Sequence, residues 1–186
     1  VNPYFRSREQ RALLEDAGIE VHGSTYREEI TAEIPALGSS VRGPLENPNC
    51  RVIVDSGGND SGALVLKQFG KYFTPERTDI IAVVNFSRFE TRSVETALDQ
   101  IRAIEDATGL RVTHIVNNTH LLRETTAQTV LSGNAKATAL AQELGGDVRV
   151  LYDCYPARIV APEDITALSR TAFPLNLYLR PTWLDR

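Results

Sequence analysis

The sequence predicts an α/β domain built on a doubly wound, mostly parallel β-sheet flanked by helices. Three observations carry that expectation. Four short apolar runs, residues 51–54, 79–84, 112–116 and 148–152, are rich in β-branched side chains and lack polar alternation, as strands buried on both faces do. Between them lie stretches whose apolar residues recur at helical spacing. Each run also ends on a small polar residue, Asp55, Asn85, Asn117 or Asp153. Together these would line the carboxyl edge of a parallel sheet, where such sheets bind their ligands.

Residues 7–17 open with Ser7 and Gln10 at capping-box spacing, carry Ala12, Leu13 and Leu14, and stop at Gly18, so a helix is expected there. A short strand is expected at 19–22. Residues 31–50, rich in Pro and Gly, read as a loop with a short helix. After the strand at 51–54 comes a shorter helix over 61–72. Residues 91–107 place Val94, Ala97, Leu98, Ile101 and Ile104 on one face, a helical spacing. Residues 125–144 begin with Thr125 and Gln128 at capping-box spacing and end at Gly145 and Gly146, which mark a helix and its stop. Residues 175–186 read as an extended ending. Strand and helix alternating in this way imply right-handed crossovers. No repeat or linker interrupts the chain, and residues 1–186 read as one domain.

The chain has 186 residues, enough to bury a sizeable core. Its 20 basic and 24 acidic residues give a net charge of −4, which argues against general binding to nucleic-acid phosphates. No apolar run has the length of a membrane span, and Arg6, Arg8 and Glu9 break any resemblance to a signal peptide. The two cysteines, Cys50 and Cys154, fit neither a disulfide framework nor a zinc pattern. Reduced thiols in the cytoplasm are the expectation. The chain opens on Val1 and holds no methionine, so its natural start is expected upstream.

The sharpest motif is Asp55-Ser56-Gly57-Gly58. An acid at a strand tip suits Mg²⁺ held through water, and glycine lets backbone N–H groups approach a phosphate. The same residues also describe a tight turn in which Asp55, Asn59 or Asp60 caps the next helix. Asn117-Asn118 offers amides able both to donate to and accept from a purine edge, or a polar turn. Asp153 and Pro156 belong to a loop flanking a base, or to a loop alone. His22, His114 and His120 share no metal-ligand spacing, and no nucleophile–base set stands out. No G-x-x-x-x-G-K-[ST] phosphate loop occurs anywhere in the chain.

The segments VNPYFRSRE, VIVDSGGNDSGA, VVNFSRFETRSVE, VTHIVNNTHLLRETT and LYLRPTWLD together resemble the MinD/ParA/CobQ-type nucleotide-binding proteins, the deviant-Walker P-loop ATPases. The resemblance spans essentially the whole chain and is most specific at VNPYFRSRE and at the acid followed by two glycines. It implies a P-loop NTPase-like fold whose N-terminal strand, phosphate loop and helix lie upstream of Val1. By the same resemblance, Asn2 and Pro3 match the first switch region and Asp55 the Walker B acid that places Mg²⁺. Gly57 and Gly58 match the second switch, Asn117 the strand-end asparagine that reads the base, and Pro156 the loop near the adenine.

The implied activity is that of an ATP-binding and ATP-hydrolysing switch, working as a homodimer with ATP and Mg²⁺ and passing its state to a protein partner that the sequence does not name. Phosphoryl transfer rests on positioning and on charge stabilisation by the phosphate-loop lysines and Mg²⁺. The chain alone is therefore expected to bind nucleotide weakly and hydrolyse it little. A missing central strand would also leave unpaired edges and exposed apolar surface. Two other readings stand beside this one: a non-hydrolysing interaction module without a phosphate loop, and an ATP-dependent ligase of the CobQ kind. No direct membrane anchor is expected.

Overall fold

The computed structural model describes residues 10–22 and 41–176; Asn2, Pro3 and Ser7 lie outside them. Four strands, β1 (Ile81–Val84), β2 (His114–Asn117), β3 (Arg149–Pro156) and β4 (Ala172–Leu175), form one sheet. Their order is β1-β2-β3-β4 and every neighbouring pair is parallel. The register of β2 on β3 shifts between Ile115 and Val116, so that Val116 faces Tyr152.

The helices are α1 (Arg11–Asp16), α2 (Arg42–Glu46), α3 (Asp60–Ala63), α4 (Val94–Thr108) and α5 (Ala127–Leu144). A 3₁₀ stretch, Leu64–Tyr72, continues α3, and another spans Pro162–Leu168. Helix α4 starts at Ser93, whose hydroxyl and Thr96 close a capping box, and it stops at Gly109 with φ of 75°. That left-handed stop favours glycine because it has no Cβ to clash. At the same end Glu105 accepts from Val112 N at 2.7 Å and from Arg111 Nη1 at 2.8 Å. This buried carboxylate pins the helix to the segment that feeds β2.

Strand order decides where the helices go. When successive parallel strands are added in one direction, right-handed crossovers all fall on the same face. Accordingly, Ala82, Val84 and Ile115 of the sheet pack with Ala97 and Ile101 of α4 and with Ala137 and Leu140 of α5. A second cluster joins Tyr155 and Val130 to Ile165 and Leu168. Strand residues alternate between faces, and the opposite side presents Ile81, Val83, Tyr152 and Phe173, all exposed. There the Tyr152 and Phe173 rings meet at 5.0 Å. The fold is thus α/β with an all-parallel sheet and flanking helices. The reversal of strand order that double winding requires is not among the described residues.

Several elements differ from expectation for identifiable reasons. Residues 51–54 are not a strand: they are exposed, Ile53 to 89%, and no neighbouring strand offers them a hydrogen-bond ladder. A β-branched apolar run becomes a strand only where partner and packing reach it. Residues 19–22 are likewise outside the sheet. Helix α5 is capped by Thr126 with Thr129, one residue after the expected Thr125. Thr125 instead turns inward, donating to Leu122 O at 2.6 Å and accepting from Leu121 N at 2.9 Å. Strand β3 runs on to Pro156, which places Asp153 inside the strand and not at its tip. Strand β4 was not expected; it carries Pro174, which lacks the N–H of a central strand and fits the sheet edge where β4 lies.

Candidate functional site

Because all four strands run the same way, their carboxyl ends share one edge. Strand β1 hands over to Asn85, β2 ends on Asn117 and β3 ends on Pro156. Val84, Asn117 and Asp153 stand in register, so β1 and β3 lie roughly 10 Å apart across the sheet, and β3 runs three residues further to Pro156. Backbone bonds knit this edge: Asn118 N donates to Val84 O at 2.8 Å and Phe86 N to Thr119 Oγ1 at 3.1 Å.

Beneath the edge lies a closed polar network. Asn117 and Asp153 are both fully buried. Asn117 Nδ2 donates to Asp153 Oδ1 at 2.8 Å and to Val130 O at 3.4 Å, while its Oδ1 accepts from Thr119 N at 3.2 Å. Asp153 Oδ2 accepts from Asn134 Nδ2 at 2.9 Å and from Thr171 Oγ1 at 2.6 Å. The Asn117 amide is therefore occupied within the protein. Its neighbour is different: Asn118 Oδ1 is buried with no hydrogen-bond partner among the described residues, and a buried acceptor of that kind wants a donor.

Between the tips of β1 and β2 opens a crevice of about 340 Å³, lined by Asn85, Ser87, Arg88, His120, Leu121 and Leu122. Asn85 organises it. Its Nδ2 reaches His120 O at 3.3 Å, its Oδ1 takes Ser87 N at 2.9 Å, and its carbonyl takes Thr91 Oγ1 at 2.6 Å. Leu122 N donates to His120 Nδ1 at 3.3 Å, which leaves Nε2 to carry the proton of a neutral ring. Burial pushes the His120 pKa below its ordinary value, and the positive charge of Arg88 adds to this. Arg88 has no carboxylate partner among the described residues. Leu122 sits at φ of 54°, a conformation costly for a branched side chain and common where loops shape a site. A second hollow, of about 290 Å³, lies at the opposite edge between the end of α5 and the start of β3, away from the ends where parallel sheets bind ligands.

The Asp55 motif lies in the segment ahead of α3, with Asp55 exposed. Asn59, and not Asp55, caps α3: its Oδ1 accepts from Gly62 N at 2.8 Å. Gly58 O accepts a hydrogen bond from Gln100 Nε2, which ties the glycine turn to α4. Among the described residues no three His, Cys, Asp or Glu side chains are arranged to hold a metal. A single carboxylate suits Mg²⁺ only when phosphate oxygens and water complete its shell, and Asp55 is exposed.

The structure thus joins Asn117 to Asp153, sets Pro156 at a strand tip, and leaves Asp55, Gly57 and Gly58 in the irregular segment ahead of α3. Arg88, His120 and Leu122 were not singled out from the sequence as site residues, whereas Asn118 was read together with Asn117 as a candidate purine-reading amide. Arg88 follows the rim residue Asn85 by three positions, the one signal that could have flagged it. No family model, curated protein or solved structure matches this chain. No described helix is long and apolar enough to cross a membrane.

Proposed function

We propose that this chain is a nucleotide-binding domain of the MinD/ParA/CobQ type, taking an adenine nucleotide along the carboxyl edge of its sheet. The observation that carries the reading is the crevice between the tips of β1 and β2 in an all-parallel sheet. Its leucines offer an apolar wall for the base and sugar, and its hydroxyl, imidazole and guanidinium offer partners for phosphate charge. Asn118 carries a buried acceptor without a partner among the described residues; in this reading a local opening of the loop after β2 presents it to an adenine amino group, the role first expected of Asn117. Pro156 at the adjoining tip would bound the base. Asp55 would hold Mg²⁺ beside the phosphates, and the Gly58–Gln100 hydrogen bond would carry the phosphate state to α4. In this reading the working unit is a homodimeric ATPase switch with a P-loop, doubly wound fold.

Titration of the chain with Mg-ATP, followed by amide chemical shifts, tests the proposal. Saturable shifts at residues 85–88 and 118–122 are expected, weaker with GTP and lost in Asn118→Ala. Their absence up to millimolar nucleotide would remove the nucleotide reading. The exposed, unpaired placement of residues 51–54 favours a second reading, a binding module without hydrolysis. Nucleotide binding with no Mg²⁺-dependent turnover, and none lost in Asp55→Ala, would select it.

A further inference from the structure

We infer that the crevice between Asn85 and Leu122 is an oxyanion subsite, built to hold a phosphoryl group through Arg88 without a metal ion. The inference rests on the nucleotide reading for its biological ligand, but its chemistry stands on the crevice alone. Three features converge there. Arg88 lines the crevice with no carboxylate partner among the described residues, so its planar fork of donors is free for an anion. His120 Nδ1 is already engaged by Leu122 N at 3.3 Å, so the ring meets a ligand as an Nε2–H donor. Ser87 adds a hydroxyl, while Asn85 is spent on bracing both loops, its Oδ1 on Ser87 N and its Nδ2 on His120 O. Among the described residues no carboxylate lines the crevice. Every charged or donating side chain in it therefore suits negative charge, in a chain whose net charge is −4.

The arrangement is also pre-formed. The Asn85–His120 bond links the loop after β1 to the loop after β2, and Phe86 N to Thr119 Oγ1 links them a second time. Loops held by two cross-links lose little freedom on binding, while the exposed Arg88 side chain is ordered only when the anion arrives. A phosphate seated against Arg88 would also offset the repulsion that Arg88 exerts on protonated His120, so anion binding and His120 protonation become coupled.

Inorganic phosphate is the first probe, titrated into the full chain without divalent metal, with acetate as the carboxylate arm. Saturable shifts at Ser87, Arg88 and His120 are expected with phosphate and not with acetate, together with a rise in the His120 titration midpoint. Arg88→Gln should weaken phosphate about ten-fold or more and Arg88→Lys less, since a lysine keeps the charge without the fork. Arg149→Gln, at the amino end of β3, should change nothing. Phosphate binding equal in Arg88→Gln and the parent, an unmoved His120 midpoint, or acetate binding as well as phosphate would each overturn the subsite. ATP binding that survives Arg88→Gln while phosphate fails to bind would keep the nucleotide reading and sink this one. Phosphate binding with no gain from adenosine would do the reverse.

Discussion

Asn117 Nδ2 and Asp153 Oδ1 meet at 2.8 Å, and neither residue is exposed to solvent. This bond joins β2 to β3 just below the carboxyl edge and fixes the height of the loops that leave it. The carboxylate accepts from three side chains, Asn117, Asn134 and Thr171, so it is compensated by hydrogen bonds, with no ion-pair partner among the described residues. A buried charge held that way is stable only while each donor stays in place.

Asp153→Ala would strip those three donors of their acceptor at once. Leaving a buried donor unpaired costs about 1–3 kcal/mol. The losses are less than additive because Asn134 and Thr171 are only part-buried and Asn117 and Thr171 keep Val130 O and Leu168 O as acceptors, both at 3.4 Å. The expected destabilisation is about 3 kcal/mol by urea unfolding, against less than about 0.5 kcal/mol for Asp147→Ala on the surface. Equal effects for the two variants would show that the network is not structural.

Gly133 gives the same network a steric test. A Cβ there would stand 2.6 Å from Thr119 Cβ and 2.7 Å from Asn117 Oδ1. In an ordinary helix, Gly→Ala stabilises by about 1 kcal/mol. Here overpacking should reverse the sign, and Gly133→Ala is expected to cost about 1–3 kcal/mol. A raised melting temperature for that variant would mean that α5 can move away from β2 at little cost.

What was legible in the sequence follows from how local each signal is. Helices α4 and α5 announced themselves because spacing, caps and glycine stops all lie within the segment they define. Strands β1 and β2 were legible through β-branched runs. Residues 51–54 show the limit of that signal: the run has strand composition, yet a strand is a property of two segments. Asp153 was expected at a tip because the run before it stops being apolar at residue 152. The strand continues because β4, hidden by Pro174, pairs with it. In the site, the tip residues Asn85 and Asn117 were readable. The fact that Asn117 is consumed by Asp153, while Asn118 and Arg88 are free, depends on contacts across 36 residues and on a loop turn at Leu122 that no spacing encodes.

The two cysteines should differ sharply in reactivity. Cys50 is exposed and Cys154 buried, and burial with the neighbouring Asp153 charge raises the Cys154 thiol from 9.0 to about 11. A disulfide reagent at pH 8 is expected to modify one thiol in the folded chain and two after unfolding. Because the folded state holds the Cys154 proton more tightly, its contribution to stability is complete below pH 9 and is lost as pH rises towards 11. A Cys154→Ala variant should flatten that alkaline decline.

His120 sets the opposite slope on the acid side. Burial first, and Arg88 second, hold its pKa below the ordinary 6.5. Between the native and unfolded pKa values the unfolded chain binds more protons, so stability rises with pH across that window. The contribution is complete above pH 6.5 and is lost as pH falls towards the native pKa. The ring C–H resonances of His120 should therefore titrate with a midpoint below 6.5. Arg88→Gln should raise that midpoint only partly, since burial, the larger cause, remains. Asn85→Ala would free the carbonyl of His120 and loosen the loop, and a midpoint that then moves back to 6.5 would show that the Asn85 clasp is what keeps the imidazole buried. A midpoint already at 6.5 in the parent chain would mean that the loop holding His120 is open in solution, and with it the crevice.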